Sequence, residues 1–278
     1  MPGMMQRAAV VFTVGFWAAG GMAQADEVRF GGTGAAQGIM LILGKAFSAV
    51  HPGDALEVVS GLGSSGGIAA VAEGALMLSV SGRPLKQEEK AKGLDSFPFI
   101  DTPFLFVTSN TQNLNLTTAD VVAIYNGTIT KWPDNRQIKP ILRPKSDTAS
   151  AFLIANIPGM QSAMDKIRQR TDVPIAATDQ DNLQAAEAIE ASFAGMTLTQ
   201  FIADRPRLRA IMLDGVQPSV DNMLDGKYSL KTTLHLVMRA QPSAATQRFI
   251  AFVRTPQAQK LIRENGGVLV STRTEALQ

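Results

Sequence analysis

The 278-residue chain contains no cysteine. That excludes disulfide scaffolding and a lipidated cysteine anchor. Histidine occurs only at positions 51 and 235, so any histidine-dependent catalysis must use His51 or His235. Aromatics make up 6% of the residues, a poor stock of stacking platforms for bases or sugars. The formal net charge of +2 is too near zero to mark a nucleic-acid or acidic-membrane partner. Beyond the N-terminus no stretch is long and apolar enough to span a bilayer. There is no internal repeat, low-complexity segment or obvious linker. What remains is a globular composition, 45% hydrophobic and 18% charged, and enough length for one large domain or two lobes.

The first residues carry the clearest local signal. Arg7 is the only charge before Asp26, residues 8–19 are apolar, and Ala23-Gln24-Ala25 is a small-x-small cleavage site. This is the pattern of a secretory signal peptide over residues 1–25, with Asp26 starting the mature chain. The apolar run is shorter than the roughly 20 residues of a spanning helix. The expected location is therefore outside the cytoplasm, in the periplasm.

The centre of the pattern is Gly61-Leu62-Gly63-Ser64-Ser65-Gly66-Gly67. A strand-like segment precedes it, and residues 68–73 read as a short helix stopped by Gly74. Strand, glycine-serine loop and helix start together aim N–H groups and a positive dipole end at one point, which suits an anion. The arrangement has a precedent upstream: residues 28–30 form a strand, Gly31-Gly32-Thr33-Gly34 breaks it, and residues 35–50 show helical periodicity. It returns at Arg143-Pro144-Lys145-Ser146-Asp147-Thr148, between a strand at 138–142 and a helix starting near Ala149. Strands alternating with helices imply an α/β fold with a mainly parallel sheet. Residues 97–108 and 228–238 read as long buried strands or crossovers. The first two loops and the third lie on opposite sides of segment 97–108, which implies two lobes facing one cleft.

The central stretch fits three motifs. As G-x-G-x-x-G it would bind a dinucleotide, but the acidic residue about 20 positions on is missing, and the next strand ends at Gly82-Arg83. As G-x-S-x-G it would present Ser65 as a nucleophile, which requires the order serine, acid, histidine. His51 lies upstream of Ser65; His235 has the right order but sits inside a strand-like segment. As an oxyanion cradle it needs no further partner. Each loop taken singly is an ordinary helix cap or turn. Three of them, one with Arg143 for a charge-assisted bond, point to an anion site.

The chain resembles the periplasmic phosphate-binding proteins of ATP-driven importers, which have the two-lobed class II solute-binding fold with two crossover strands and a central cleft. The resemblance runs through Gly32-Thr33-Gly34-Ala35, residues 61–67, residues 116–132 with Ile124-Tyr125-Asn126-Gly127 and Lys131-Trp132, residues 143–148, Gly226-Lys227-Tyr228-Ser229-Leu230 and residues 249–267. It implies lobe I from 26–106 plus 226–278 and lobe II from 107–225. It also implies binding without catalysis, no cofactor and no metal. The implied partners are inorganic phosphate or a similar oxyanion and the membrane permease of an ABC importer, with the protein acting as a monomer and without nucleic acid. The ligand-binding set is Thr33, Gly34, Ala35, Ser64, Ser65, Gly66, Ser81, Arg143, Ser146, Asp147 and Thr148. Two positions depart from the family pattern. Gly82 stands where the family has the aspartate that accepts the proton of hydrogen phosphate, so selectivity over sulfate loses its residue. The third loop reads Ser146-Asp147-Thr148-Ala149 in place of Gly-Ser-Gly-Thr. Asp147 is left with two roles, proton acceptor or cap of the following helix. Sulfate- or molybdate-type binding, and sensing without transport, stay open on the same fold.

Overall fold

The computed structural model describes residues 26–270; the expected signal peptide lies outside them. The chain begins with β1 (Asp26–Gly32), a 3-10 turn (Gly34–Ala36), α1 (Gln37–Val50) and β2 (Asp54–Val58). Next come α2 (Gly63–Glu73), β3 (Leu78–Ser81) and α3 (Gln87–Lys90). The 15-residue strand β4 (Leu94–Thr108) follows. Beyond it lie β5 (Asn115–Leu116), α4 (Thr118–Asn126), β6 (Lys139–Pro140), α5 (Thr148–Asn156), α6 (Met160–Ile167) and α7 (Asp179–Ala188). The chain continues through β7 (Ser192–Thr197), α8 (Leu198–Asp204), β8 (Arg209–Ala210), β9 (Met212–Leu213) and α9 (Val220–Leu224). It returns in β10 (Lys231–Arg239) and ends with α10 (Ala244–Val253), α11 (Pro256–Glu264) and β11 (Val268–Leu269).

The main sheet runs β2-β1-β3-β10-β4-β7-β6. Its β1 pairings with β2 and β3 are parallel, as the strand–helix alternation implies. The sheet as a whole is mixed, because β10 is antiparallel to both β3 and β4, and β4 is antiparallel to β7. Antiparallel pairing comes from the two long strands that pass between the halves in opposite directions.

β4 changes partner along its length. Residues up to Pro103 pair with β10, and from Phe104 the partner is β7. At the change-over the Phe104 N–H donates to the Leu230 carbonyl at 2.8 Å, and the Tyr228 hydroxyl donates to the Phe104 carbonyl at 2.9 Å. The outgoing and returning crossovers are thus stitched side by side. The hydrophobic core divides at the same place. Phe99 and Ile100 pack with Phe30, Leu43, Phe47 and Phe249. Phe104 and Phe106 pack with Tyr125, Trp132, Leu153 and Phe193. One strand therefore supplies apolar side chains to separate cores on either side of the change-over, which gives the molecule its two lobes and a cleft between them.

Helix starts follow local chemistry. Thr117 caps α4 in a reciprocal box with Asp120, Thr178 does the same for α7 with Asp181, and Ser243 and Thr255 cap the closing helices. Some boundaries differ from the sequence pattern. α2 starts at Gly63, so Ser64, Ser65 and Gly66 form its first turn instead of a preceding loop. The segment β7–α8 gave no periodic signal: β7 reads SFAGMT and is buried almost throughout, so neither alternation nor a branched run marks it.

Candidate functional site

Thr33 stands where β1 ends, its N–H held by the Val80 carbonyl at 2.8 Å. Its hydroxyl and the Ala35 N–H both donate, at 3.0 Å each, to one carboxylate oxygen. That oxygen is Oδ2 of Asp179, the first residue of α7. The contact spans 146 residues of chain and crosses from one half of the molecule to the other. Gly34 makes it possible: a Cβ there would lie 2.3 Å from Gln180 Oε1 and 2.8 Å from Asp179 Cβ. Any side chain would hold the two segments apart.

Arg143 leads the third loop and is buried. Its guanidinium donates to Asp147 at 2.8 Å and to the Ala176 carbonyl at 3.0 Å, and lies 3.3 Å from the second Asp179 oxygen. Asp147 also caps α5 by accepting the Ala149 N–H at 2.9 Å. Its side chain thus serves the helix end and Arg143 at once. One guanidinium faces two carboxylates. Burial pushes the Asp179 carboxyl above its ordinary value, Arg143 pulls it down, and Asp147 pushes it up.

The second loop meets the site one step back. The Ser64 hydroxyl accepts the Gly82 N–H at 2.9 Å, joining the first turn of α2 to the end of β3. Gly82 then approaches the third loop: a Cβ there would lie 2.6 Å from Thr148 Oγ1 and 3.1 Å from Thr148 Cβ. The missing side chain at position 82 is what lets the start of α5 come this close. A cavity of about 30 Å³ lies at the junction, lined by Thr33, Ala35, Gly82, Thr148, Phe152 and Asp179, with Phe104 and Leu234 behind. It has room for about two waters.

The structure gathers Thr33, Ala35, Arg143, Asp147 and Thr148 around this junction. Ser64 supports it through Gly82, and the Gly34 carbonyl accepts from Gln180 at 3.3 Å. Ser81 turns away and exchanges hydrogen bonds with the backbone of Arg83. Ser65 is exposed, and its hydroxyl accepts from the Arg83 guanidinium at 3.2 Å. Arg83 is itself clamped on Glu89 at 2.7 and 2.8 Å. That hydrogen bonding holds the Glu89 carboxyl down at about 2. Gly66 lies in the first turn of α2, and Ser146 faces solvent. The residue that sequence reasoning missed is Asp179. It sits in Thr178-Asp179-Gln180-Asp181, which reads as a helix-capping sequence, and the box indeed uses Thr178 and Asp181. Nothing local marks Asp179 as different from its acidic neighbour.

Known proteins share this architecture. A structure of a putative phosphate ABC transporter substrate-binding protein with bound phosphate, from Clostridium perfringens, superposes with a TM-score of 0.76 at 19% identity, covering 88% of this chain and all of that one. The phosphate-binding protein PstS of Bacillus subtilis is 21% identical over 257 residues, 88% of this chain and 81% of that protein. Phosphate-binding protein PstS 2 of Streptococcus pneumoniae is 33% identical over 67 residues, and that match spans only 23% of its length. A family model described as a PBP superfamily domain matches residues 18–257. With a two-lobed fold, a cleft at the crossovers and a family match over most of its length, the chain belongs to the PBP superfamily.

Proposed function

We propose that the protein is an extracytoplasmic binding protein that captures a tetrahedral oxyanion, phosphate first, and delivers it to the permease of an ABC importer. One observation carries this reading. A hydroxyl, a backbone N–H and a guanidinium, from Thr33, Ala35 and Arg143, converge on the two oxygens of a single carboxylate. Donors so arranged suit any small anion that offers two or more oxygens. The α2 start adds N–H groups at the same end of the sheet. Phosphate takes precedence because the relatives named above are phosphate-binding proteins. We take lobe I as residues 26–103 and 231–270 and lobe II as residues 104–230, in place of a division at 106/107 and 225/226, because Phe104, Phe106, Tyr228 and Leu230 belong to the same core as Tyr125 and Trp132; closure bends the paired crossovers near Phe104 and Leu230.

Gly82 favours a second reading, an anion without a proton such as sulfate or molybdate, because that position offers no carboxylate acceptor. The experiment is calorimetry and thermal denaturation of the chain from Asp26 onward with phosphate, sulfate, molybdate and tungstate. Phosphate should bind tightest and raise the melting temperature. If none of the four shifts the transition, the oxyanion reading is wrong.

A further inference from the structure

Asp179 has no part in binding an external anion as just described, yet it occupies the best donors in the cleft. Its Oδ2 takes both the Thr33 hydroxyl and the Ala35 N–H, and its Oδ1 faces Arg143. An incoming oxyanion would need those same three groups. The position is costly, because the carboxylate is largely removed from water, its side chain 15% exposed. Helix α7 does not require it, since Thr178 and Asp181 already form the cap. The contact also joins the two halves: α7 packs through Ala186 and Leu183 on the core containing Leu105 and Val107, whereas Thr33 and Ala35 directly precede Ala36, which packs with Phe30 and Ile39.

We propose that Asp179 is an internal competitor for the binding site: its carboxylate stands in for the ligand's oxygens, holds the cleft closed, and must leave before an external anion enters. This rests on the oxyanion reading of the cleft. Asp179 then sets the affinity of the site, because each binding event exchanges an intramolecular anion for an external one. It also keeps the buried Arg143 and the first loop's donors satisfied between binding events, when they would otherwise be desolvated without partners.

The test compares wild type with Asp179→Asn and Asp179→Ala. Calorimetric affinities for inorganic phosphate and for sulfate should both tighten by about tenfold or more in Asp179→Ala, tenfold being 1.4 kcal/mol. Asp179→Asn, which keeps the shape but not the charge, should lie between. Small-angle scattering without added ligand should give a larger radius of gyration for Asp179→Ala than for wild type, and saturating phosphate should reduce it. Unchanged or weaker affinity in both variants overturns the proposal in favour of a purely structural ion pair. Tightening for one anion with loss for the other overturns it in favour of direct ligand contact. If no protein of the set binds either anion, the oxyanion reading falls. The ligand-free scattering comparison then still decides whether Asp179 holds the cleft shut, and equal radii would end that part too.

Discussion

Arg143→Ala should be among the most destabilising single changes in the cleft. The guanidinium is 8% exposed and lies 2.8 Å from Asp147 and 3.3 Å from Asp179, whose side chains are 18% and 15% exposed. It also satisfies the Ala176 carbonyl. Truncation leaves two largely desolvated carboxylates near each other and one buried acceptor unmet. Removing one partner of a buried pair costs about 3–5 kcal/mol. Because water can reach both carboxylates in part, the lower figure applies, about 3 kcal/mol, or a fall in melting temperature of roughly 6–12 °C. The pH dependence gives a second reading of the same cause. Burial already raises the folded carboxyl of Asp179 above the unfolded value of 3.8. The folded state therefore binds that proton more readily, and stability falls as pH rises from the unfolded value through the folded one. Loss of Arg143 removes the influence that opposes this shift. The deficit should be largest near about pH 7 and shrink toward about pH 4, where Asp179 is increasingly protonated in both states. Urea denaturation of both proteins across that range is the assay. A deficit below about 1 kcal/mol at neutral pH, or one that grows toward acid, would refute the account of the cluster.

Two further outcomes follow from the same junction. Gly82→Asp would supply the carboxylate that the resemblance to phosphate-binding proteins implies at this position, yet a Cβ there meets Thr148 Oγ1 at 2.6 Å; phosphate affinity should drop by about tenfold or more, some 1.4 kcal/mol, and unchanged calorimetric affinity would show that α5 yields freely. Glu89→Gln tests the Arg83 clamp. Because Arg83 holds the Glu89 carboxyl at about 2, against 4.5 unperturbed, its stabilisation is complete above about pH 4.5 and is lost as pH falls toward about 2. Wild type should exceed the variant by about 2–3 kcal/mol at neutral pH, with the gap closing in acid; a constant gap in urea titrations would assign the loss to packing.

Much of the site could be read from the residues in order. Thr33 and Ala35 at a strand-to-helix turn, Ser64 at a glycine-rich helix start, and Arg143 with Asp147 and Thr148 each announce themselves within a few positions, because a glycine- or hydroxyl-rich turn between a strand and a helix is a local pattern. The same holds for the two long apolar strands, whose lengths exceed what one core needs. β7 escaped notice because a buried strand of small residues with an internal glycine has no period to detect. The antiparallel placement of β10 and β4 likewise depends on where the chain returns, which no local signal states.

The amino-acid sequence by itself determined that the chain is an α/β protein, that three strand-to-helix turns carry hydroxyl or guanidinium side chains, and that position 82 lacks a side chain. Only the tertiary structure decided that Asp179, 146 residues from Thr33, enters the cleft and takes those groups, and that Gly82 serves as clearance for Thr148. The physical reason is range. A cap is set by hydrogen bonds three or four residues apart, whereas a carboxylate in a cleft is placed by the packing of two separate cores, and its neighbours in sequence carry no record of what it will meet.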